Sequence, residues 1–308
     1  MKQIYDVIVL GGGAAGYTAA MYAVRAGLST LVIEKMTPGG QMATTDTIDN
    51  YPGFPDGIDG FTLGMQMQKG AERFGAVTEY AEILSADLTG DIKLVTTDSG
   101  AFSAKTVIIA TGAAPRELGL PMEKELTGKG VHYCAHCDGR FYKDKTVVVV
   151  GGGNSAVSDA LYLTGLCKKV ILVHRRDSLR ATKIYHEPLL QAKNAEFMWN
   201  SRVSAFVHNG KLTGILVQDV VTEEVKELSC DAVFISIGRK PETELFKTEV
   251  ALDESGYIAA DETTQTSISG VFAAGDVRAK LLRQVITAAS DGAVAATMAE
   301  EYLWKHKM

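Results

Sequence analysis

No run of about 18 apolar residues occurs anywhere in the chain, which argues against a membrane-spanning helix. A basic excess is lacking too: 31 lysines and arginines face 37 acids, leaving a net charge of −6. Binding along nucleic-acid phosphates needs a positive field, so this balance speaks against a nucleic-acid surface. Cysteine is scarce, with 4 in 308 residues, at positions 134, 137, 167 and 230. So few thiols in so long a chain do not build a structural disulfide framework. The start, "MKQIYDVIVLGGG", has no small-residue cleavage site after an apolar core, so we expect no leader and a cytoplasmic protein.

What is present is an α/β pattern long enough for two domains of roughly 100–200 residues each. "YDVIVLGGGAAG" is a β-branched strand running into Gly11, Gly13 and Gly16, the G-x-G-x-x-G arrangement. Those glycines allow a tight turn, close approach of backbone N–H groups to a pyrophosphate, and close packing of the next helix. The helix "YTAAMYAVRAG" follows, with Gly27 as its expected C-cap, and then the strand "STLVIEK", which ends on Glu34. Glu34 stands 21 positions after Gly13, where a ribose-binding acid belongs.

The pattern recurs in "KTVVVVGGGNSAVSDALYLTGLCKKVILVHRRD", with Gly151, Gly153 and Ala156 at the small positions. Here Arg175, flanked by His174 and Arg176 and followed by Arg180, replaces the acid. A carboxylate accepts from a free 2′-hydroxyl and repels a 2′-phosphate, whereas guanidinium groups bind that phosphate through charge-assisted hydrogen bonds. The second loop is therefore suited to NADPH, with Gly151, Gly153, Asn154, Ser155, Ala156, His174, Arg175, Arg176 and Arg180 as candidate contacts.

Between the loops stands "HYCAHCDG", with Cys134 and Cys137 two residues apart. The spacing alone fits a redox pair, half of a zinc site or a structural disulfide. Zinc needs a second pair, and Cys167 and Cys230 are single and far apart, so we expect no metal. Those two read as small buried apolar residues. A structural bridge closing so short a loop constrains the unfolded chain little.

"TVIIATGAAPR" and "TSISGVFAAGDV", ending in Thr111-Gly112 and Gly275-Asp276, resemble the flavoproteins with two dinucleotide-binding domains. The resemblance implies FAD at the first loop. Its candidate contacts are Gly11, Gly13, Ala14, Ala15, Gly16, Glu34, Lys35, Gly40, Gln41, Asn50, Thr111, Gly112, Gly275, Asp276, Arg283 and Gln284. FAD segments at both ends imply two Rossmann-like domains, the NADPH domain inserted into the FAD domain. The expected division is 1–113 for the first FAD part, 114–243 for the NADPH domain and 244–308 for the second FAD part. The linkers are expected near "GAAPRELGLP" and "GRKPETELF".

Reductases of the glutathione reductase type carry their redox pair soon after the ribose acid, where this chain reads "PGGQMATTDTIDNYPGFPDGIDG" without cysteine. By contrast "GGQ", "NYPGFP", "CAHCDG", "GGGNSA", "HRRDSLRA", "TSISGVFAAGDV" and "RQVITAASDG" resemble, in order, the low-molecular-weight thioredoxin reductases. The resemblance implies that Cys137 lies over the flavin, that Cys134 exchanges with thioredoxin or a similar small redoxin, and that Asp138 handles the thiol proton. It further implies a homodimer and an Arg283-Gln284 pair beside the flavin. Because a disulfide packed on the flavin would be hidden from a protein the size of thioredoxin, we expect the inserted domain to rotate about the two linkers between the half-reactions. His136 and Ser158-Asp159 depart from the family's usual residues. A related flavin-dependent disulfide reductase or dithiol oxidase with another electron source or acceptor, and a non-enzymatic FAD-bound redox sensor, are the alternatives. The intact "HRRDSLR" favours NADPH as donor.

Overall fold

The computed structural model describes residues 3–45 and 47–306. They form two compact units, Met1–Ala114 with Lys240–Met308, and Pro115–Arg239.

In the first unit β1 (Ile4–Leu10) alternates its side chains between two buried faces. Val7 and Val9 enter one apolar cluster, Ile8 and Leu10 the other, so this strand is central to its sheet. The glycine loop leads into α1 (Ala14–Arg25), an alanine-rich helix. At Gly16 an added Cβ would lie 1.9 Å from the Gly11 carbonyl oxygen, so only glycine lets the helix pack this close to the loop. The helix cap is Ala26 rather than Gly27, which follows in the left-handed region at φ 83°. β2 (Thr30–Glu34) returns parallel to β1. α2 (Gly60–Glu72) starts where the Asp59 carboxylate accepts from the Thr62 N–H at 2.7 Å. β3 (Val77–Tyr80) pairs with β2. β4 (Ile83–Asp87), β5 (Lys93–Thr97) and β6 (Ala101–Ile109) form an antiparallel meander, and β6 lies parallel to β1.

β7 (Ala113–Pro115) begins the crossing into the second unit. There α3 (Glu123–Leu126), β8 (Val131–His132) and the single-turn helix α4 (Ala135–Asp138) precede β9 (Thr146–Val150), α5 (Asn154–Thr164) and β10 (Lys169–Val173). α6 (His186–Gln191) and β11 (Ala195–Met198) follow, then the antiparallel ribbon of β12 (Ser201–His208), β13 (Leu212–Asp219) and β14 (Val225–Ser229), then β15 (Ala232–Ile235). The main sheet runs β11-β10-β9-β15-β8, all parallel.

The return segment β16 (Arg239–Pro241) pairs with β7. β17 (Val271–Ala273) then adds to the first sheet beside β6. α7 (Val285–His306) lays Ala295, Ala296 and Ala299 against Ala15, Ala19, Ala20 and Ala23 of α1 in one core. Each unit thus has a parallel α/β core, joined by antiparallel strands, in which a strand, glycine loop and helix, β1 to α1 and β9 to α5, place a loop at the carboxyl edge, where ligands bind in such folds.

Candidate active site

In the first unit several segments meet at the glycine loop. An added Cβ on Gly11, which sits at φ 105°, would lie 2.5 Å from the Ala110 carbonyl oxygen, so the Thr111-Gly112 turn adjoins the loop. Gly39 N–H donates to the Gly12 carbonyl at 2.8 Å, and Gly40 lies over Gly13. Gly275 abuts Ala15, which brings Asp276 to the start of α1. The Glu34 carboxylate accepts from the N–H groups of Gly12 at 2.7 Å and Met36 at 3.1 Å. Asn50 donates to the Gln284 side chain at 3.0 Å, and Gln41 donates to the Ala113 carbonyl. Thr111 Oγ1 donates to the Glu242 carbonyl at 2.7 Å. The Arg283 guanidinium lies over the Tyr257 ring at 4.0 Å. Lys35 points elsewhere, pairing with Glu82 at 2.6 Å on the surface.

This constellation fits a dinucleotide. α1 has glycine at its N-cap and no side chain capping its first turn. A Cβ added to Gly13 would meet nothing nearer than the Gly39 carbonyl at 3.9 Å, so the loop mouth has room beside open N–H donors. Behind it, the buried Asp291 carboxylate accepts from Gly275 N–H at 2.9 Å, Arg278 Nε at 2.8 Å and Lys280 Nζ at 2.7 Å. Burial pushes the Asp291 carboxyl up, but the hydrogen bonds from Arg278 and Lys280 outweigh it and hold the group below its ordinary range.

The second unit repeats the device. Gly151 N–H donates to the Val173 carbonyl at 3.1 Å, and the glycine packs on the Ser236 carbonyl and on Ala156. Gly153 caps α5 without a side-chain hydrogen bond, and a Cβ placed there would meet nothing within 4 Å. The arginine segment is tied to this loop: Arg180 N–H donates to the Gly152 carbonyl at 2.8 Å, and Asn154 Oδ1 accepts from the Thr182 N–H at 2.8 Å. Ser155 stands in the first turn of α5. Arg175, Arg176 and Arg180 are exposed and make no ion pair among the described residues. Burial of His174 against Gly152, and then the three arginines, lower its pKa, so the imidazole is neutral beside three free guanidinium groups. That is a donor set for a dianion. On the same helix, burial raises the pKa of Asp159, which accepts from the Ser236 hydroxyl at 2.5 Å.

Cys134 and Cys137 are joined as a disulfide across α4. Cys134 is the helix N-cap, and its Sγ accepts from the Cys137 N–H at 3.2 Å. Asp138 closes the turn, and its Oδ2 lies 3.1 Å from Nδ1 of His132. The buried His132 ring stacks on Phe234 and reaches the Tyr142 hydroxyl with Nε2 at 2.8 Å. His136 packs edge-on against Tyr162 at 4.3 Å. Cys167 and Cys230 are buried, and burial pushes their thiols up to about 11 and about 12.

Sequence reasoning missed two sets of residues, His132 with Tyr142 and Arg278, Lys280 with Asp291. A histidine six positions before an expected acid was the one signal in the first set. In the second, Asp291 lies within "RQVITAASDG", but nothing in that stretch marks it as the partner of Arg278 and Lys280.

Residues 5–292 match the model of the pyridine nucleotide-disulphide oxidoreductase family, and the chain belongs to that family. A thioredoxin reductase of Treponema pallidum is 46% identical over 303 residues, covering 98% of each chain. One of Streptomyces clavuligerus is 47% identical over 306 residues, covering 98% of this chain and 95% of that one. The crystal structure of thioredoxin reductase from Streptococcus pyogenes is similar at 44% identity with a TM-score of 0.91, covering 99% of this chain and all of the other.

Proposed function

We infer that the protein is a thioredoxin reductase, an NADPH-dependent flavoprotein that passes electrons through the Cys134–Cys137 disulfide to the disulfide of thioredoxin. The observation that carries this reading is the Cys134–Cys137 disulfide, closed across one helical turn that ends on Asp138, in the unit that also bears the arginine-rich nucleotide loop. Family membership and the thioredoxin reductases among its relatives support it.

The first loop, with Glu34, Gly40, Thr111, Gly112, Gly275 and Asp276, would hold FAD. FAD supplies two-electron chemistry, taking hydride equivalents from NADPH and delivering an electron pair to a disulfide. The second loop would hold NADPH, with Arg175, Arg176 and Arg180 on the 2′-phosphate. Once reduced, Cys134 attacks the thioredoxin disulfide as a thiolate. A mixed disulfide forms and one thioredoxin sulfur leaves as a thiolate. Cys137 then attacks Cys134 Sγ, re-forming the bridge and releasing dithiol thioredoxin. Asp138 holds the proton that moves as thiol and thiolate interchange. We further propose a homodimer in the cytoplasm. No helix of the described residues is long and apolar enough to cross a membrane.

The test is to mix the purified yellow protein with NADPH under anaerobic conditions, follow bleaching of the flavin band, and then add oxidised thioredoxin. Bleaching by NADPH followed by recovery on adding thioredoxin is expected. A flavin that NADPH leaves oxidised overturns the reading.

A further inference from the structure

Reduction of the disulfide by NADPH has an uneven proton count. NADPH, one proton and the disulfide give NADP⁺ and two thiols. The hydride brings one hydrogen and both electrons, so the second hydrogen enters as a proton from water. It has to reach the sulfur of Cys137 in a part of the unit where Asp138 has only 19% of its side-chain surface exposed.

The groups around Asp138 form a chain: Asp138 Oδ2 lies 3.1 Å from Nδ1 of His132, and Nε2 of the same ring lies 2.8 Å from the Tyr142 hydroxyl. With Nδ1 donating to the carboxylate, Nε2 is left to accept from the Tyr142 hydroxyl, and the chain runs from Tyr142 to Asp138. Tyr142 itself is half-buried and flanked by the exposed Phe141 and Lys143. Packing fixes the ring of His132 between the Phe234 face at 5.4 Å and the Tyr142 ring at 5.2 Å, so its two nitrogens cannot exchange roles by turning.

We propose that His132 positions Asp138 and, with Tyr142, conducts the proton that Asp138 delivers to Cys137. This rests on the reading of Asp138 as the acid of the disulfide. Tyr142 gives its hydroxyl hydrogen to Nε2 while the Nδ1 hydrogen passes to Asp138 Oδ2, and Tyr142 is reloaded from water. Asp138 transfers its hydrogen to the departing Cys137 thiolate and returns to the carboxylate. Every bond broken to hydrogen is matched by one formed, and the electrons come only from the reductant. The ring, left with its hydrogen on Nε2, is reset when Asp138 takes the Cys137 thiol proton in the exchange with thioredoxin and that proton leaves by the same path in reverse, while the departing thioredoxin thiolate is protonated from water. Burial, then the negative charges of Asp138 and Asp231, push the Tyr142 hydroxyl up to about 12, which keeps it protonated as the donor the chain requires. The other charged neighbour is Lys145, whose Nζ lies 5.7 Å over the Tyr142 ring.

The experiment uses the FAD-loaded protein and two reductants, dithiothreitol and NADPH, with trapping of the Cys134 and Cys137 thiols over a range of pH in light and heavy water. Tyr142→Phe retains the ring and its packing and removes only the hydroxyl. His132→Gln removes the relay. With dithiothreitol, both variants should open the disulfide about 5- to 20-fold more slowly than the parent, part of what a general acid contributes. The deficit should widen toward alkaline pH, where free protons are scarce, and the parental solvent isotope effect should shrink. A purely structural role would leave pH profile and isotope effect in place, and parental values for both in Tyr142→Phe overturn the relay. If His132→Gln does not fold, Tyr142→Phe decides alone. If NADPH fails to open the parental disulfide while dithiothreitol still shows the dependence on Tyr142, the relay stands and the reductase reading falls.

Discussion

The carboxylate of Glu34 reaches back across the glycine loop to hold the N–H of Gly12 at 2.7 Å. The acid proposed for a ribose would thereby also brace the turn that would face the pyrophosphate. Hydrogen bonds to charged groups are worth about 1.5–3 kcal/mol. Glu34→Ala should therefore weaken FAD retention by roughly tenfold or more. The check is free-flavin fluorescence after dilution, and parental retention would separate the brace from the ligand.

Arg175 and Arg176 have no acidic partner among the described residues, so their charge is free for a ligand. Changing both to Ala should raise the KM for NADPH by about ten- to a hundredfold while leaving NADH use nearly unchanged, since only NADPH carries the 2′-phosphate. Steady-state kinetics with the two nucleotides measure this. Equal use of both by the parent protein would contradict the assignment.

The two disulfide cysteines should fail differently. Cys134→Ser should still let NADPH bleach the flavin yet pass nothing to thioredoxin. Cys137→Ser should leave Cys134 able to attack and unable to be released, trapping a mixed disulfide visible on a non-reducing gel. Trapping by Cys134→Ser alone would reverse the roles. Cys167 and Cys230, with thiols pushed up to about 11 and about 12, should stay unalkylated near neutral pH in the folded protein.

Asp291 should contribute to the acid sensitivity of the first unit. Its carboxyl lies below the ordinary value, so the folded state gains stability above the unfolded pKa and loses it as pH falls through the folded one. Asp291→Asn leaves Arg278 and Lys280 buried without their counter-charge, a loss of about 3–5 kcal/mol. Thermal melts should show the variant well below the parent at neutral pH, with the gap closing in acid. A gap independent of pH would mean that packing, not charge, is at stake.

Legibility of the sequence followed the range of the interactions. Gly11, Gly16 and Glu34, and likewise Gly151 with Arg175, lie within one strand-helix-strand unit, where local spacing dictates contact. The β-branched run of "YDVIVL" and the glycines after it declared a strand and a closely packed helix, and the structure places both there. The approach of His132 to Asp138 was hidden because the place of His132 depends on β8 pairing with β15, about a hundred residues later, which brings Phe234 under the imidazole. Asp291 was equally silent: a carboxylate in "AASDGAVAA" reads as a polar helix position until α7 packs on α1 and turns it toward Arg278. His136, noted in the sequence only as a departure from the family's usual residue, is presented by α4 to Tyr162 on α5, a contact adjacency to the cysteines does not announce.

The alanine seam between α1 and α7 also sets a timetable for synthesis. The second unit is contiguous from Pro115 to Arg239 and can close on itself while the chain is still growing. The first unit cannot. Its sheet lacks β17 and its first helix lacks a cover until residues 271–306 emerge, so Ala15, Ala19 and Ala23 meet water for most of the ribosome's passage. A nascent chain arrested just past Arg239 would hold a folded passenger on an unfinished host, and that interval is when a chaperone has surface to bind.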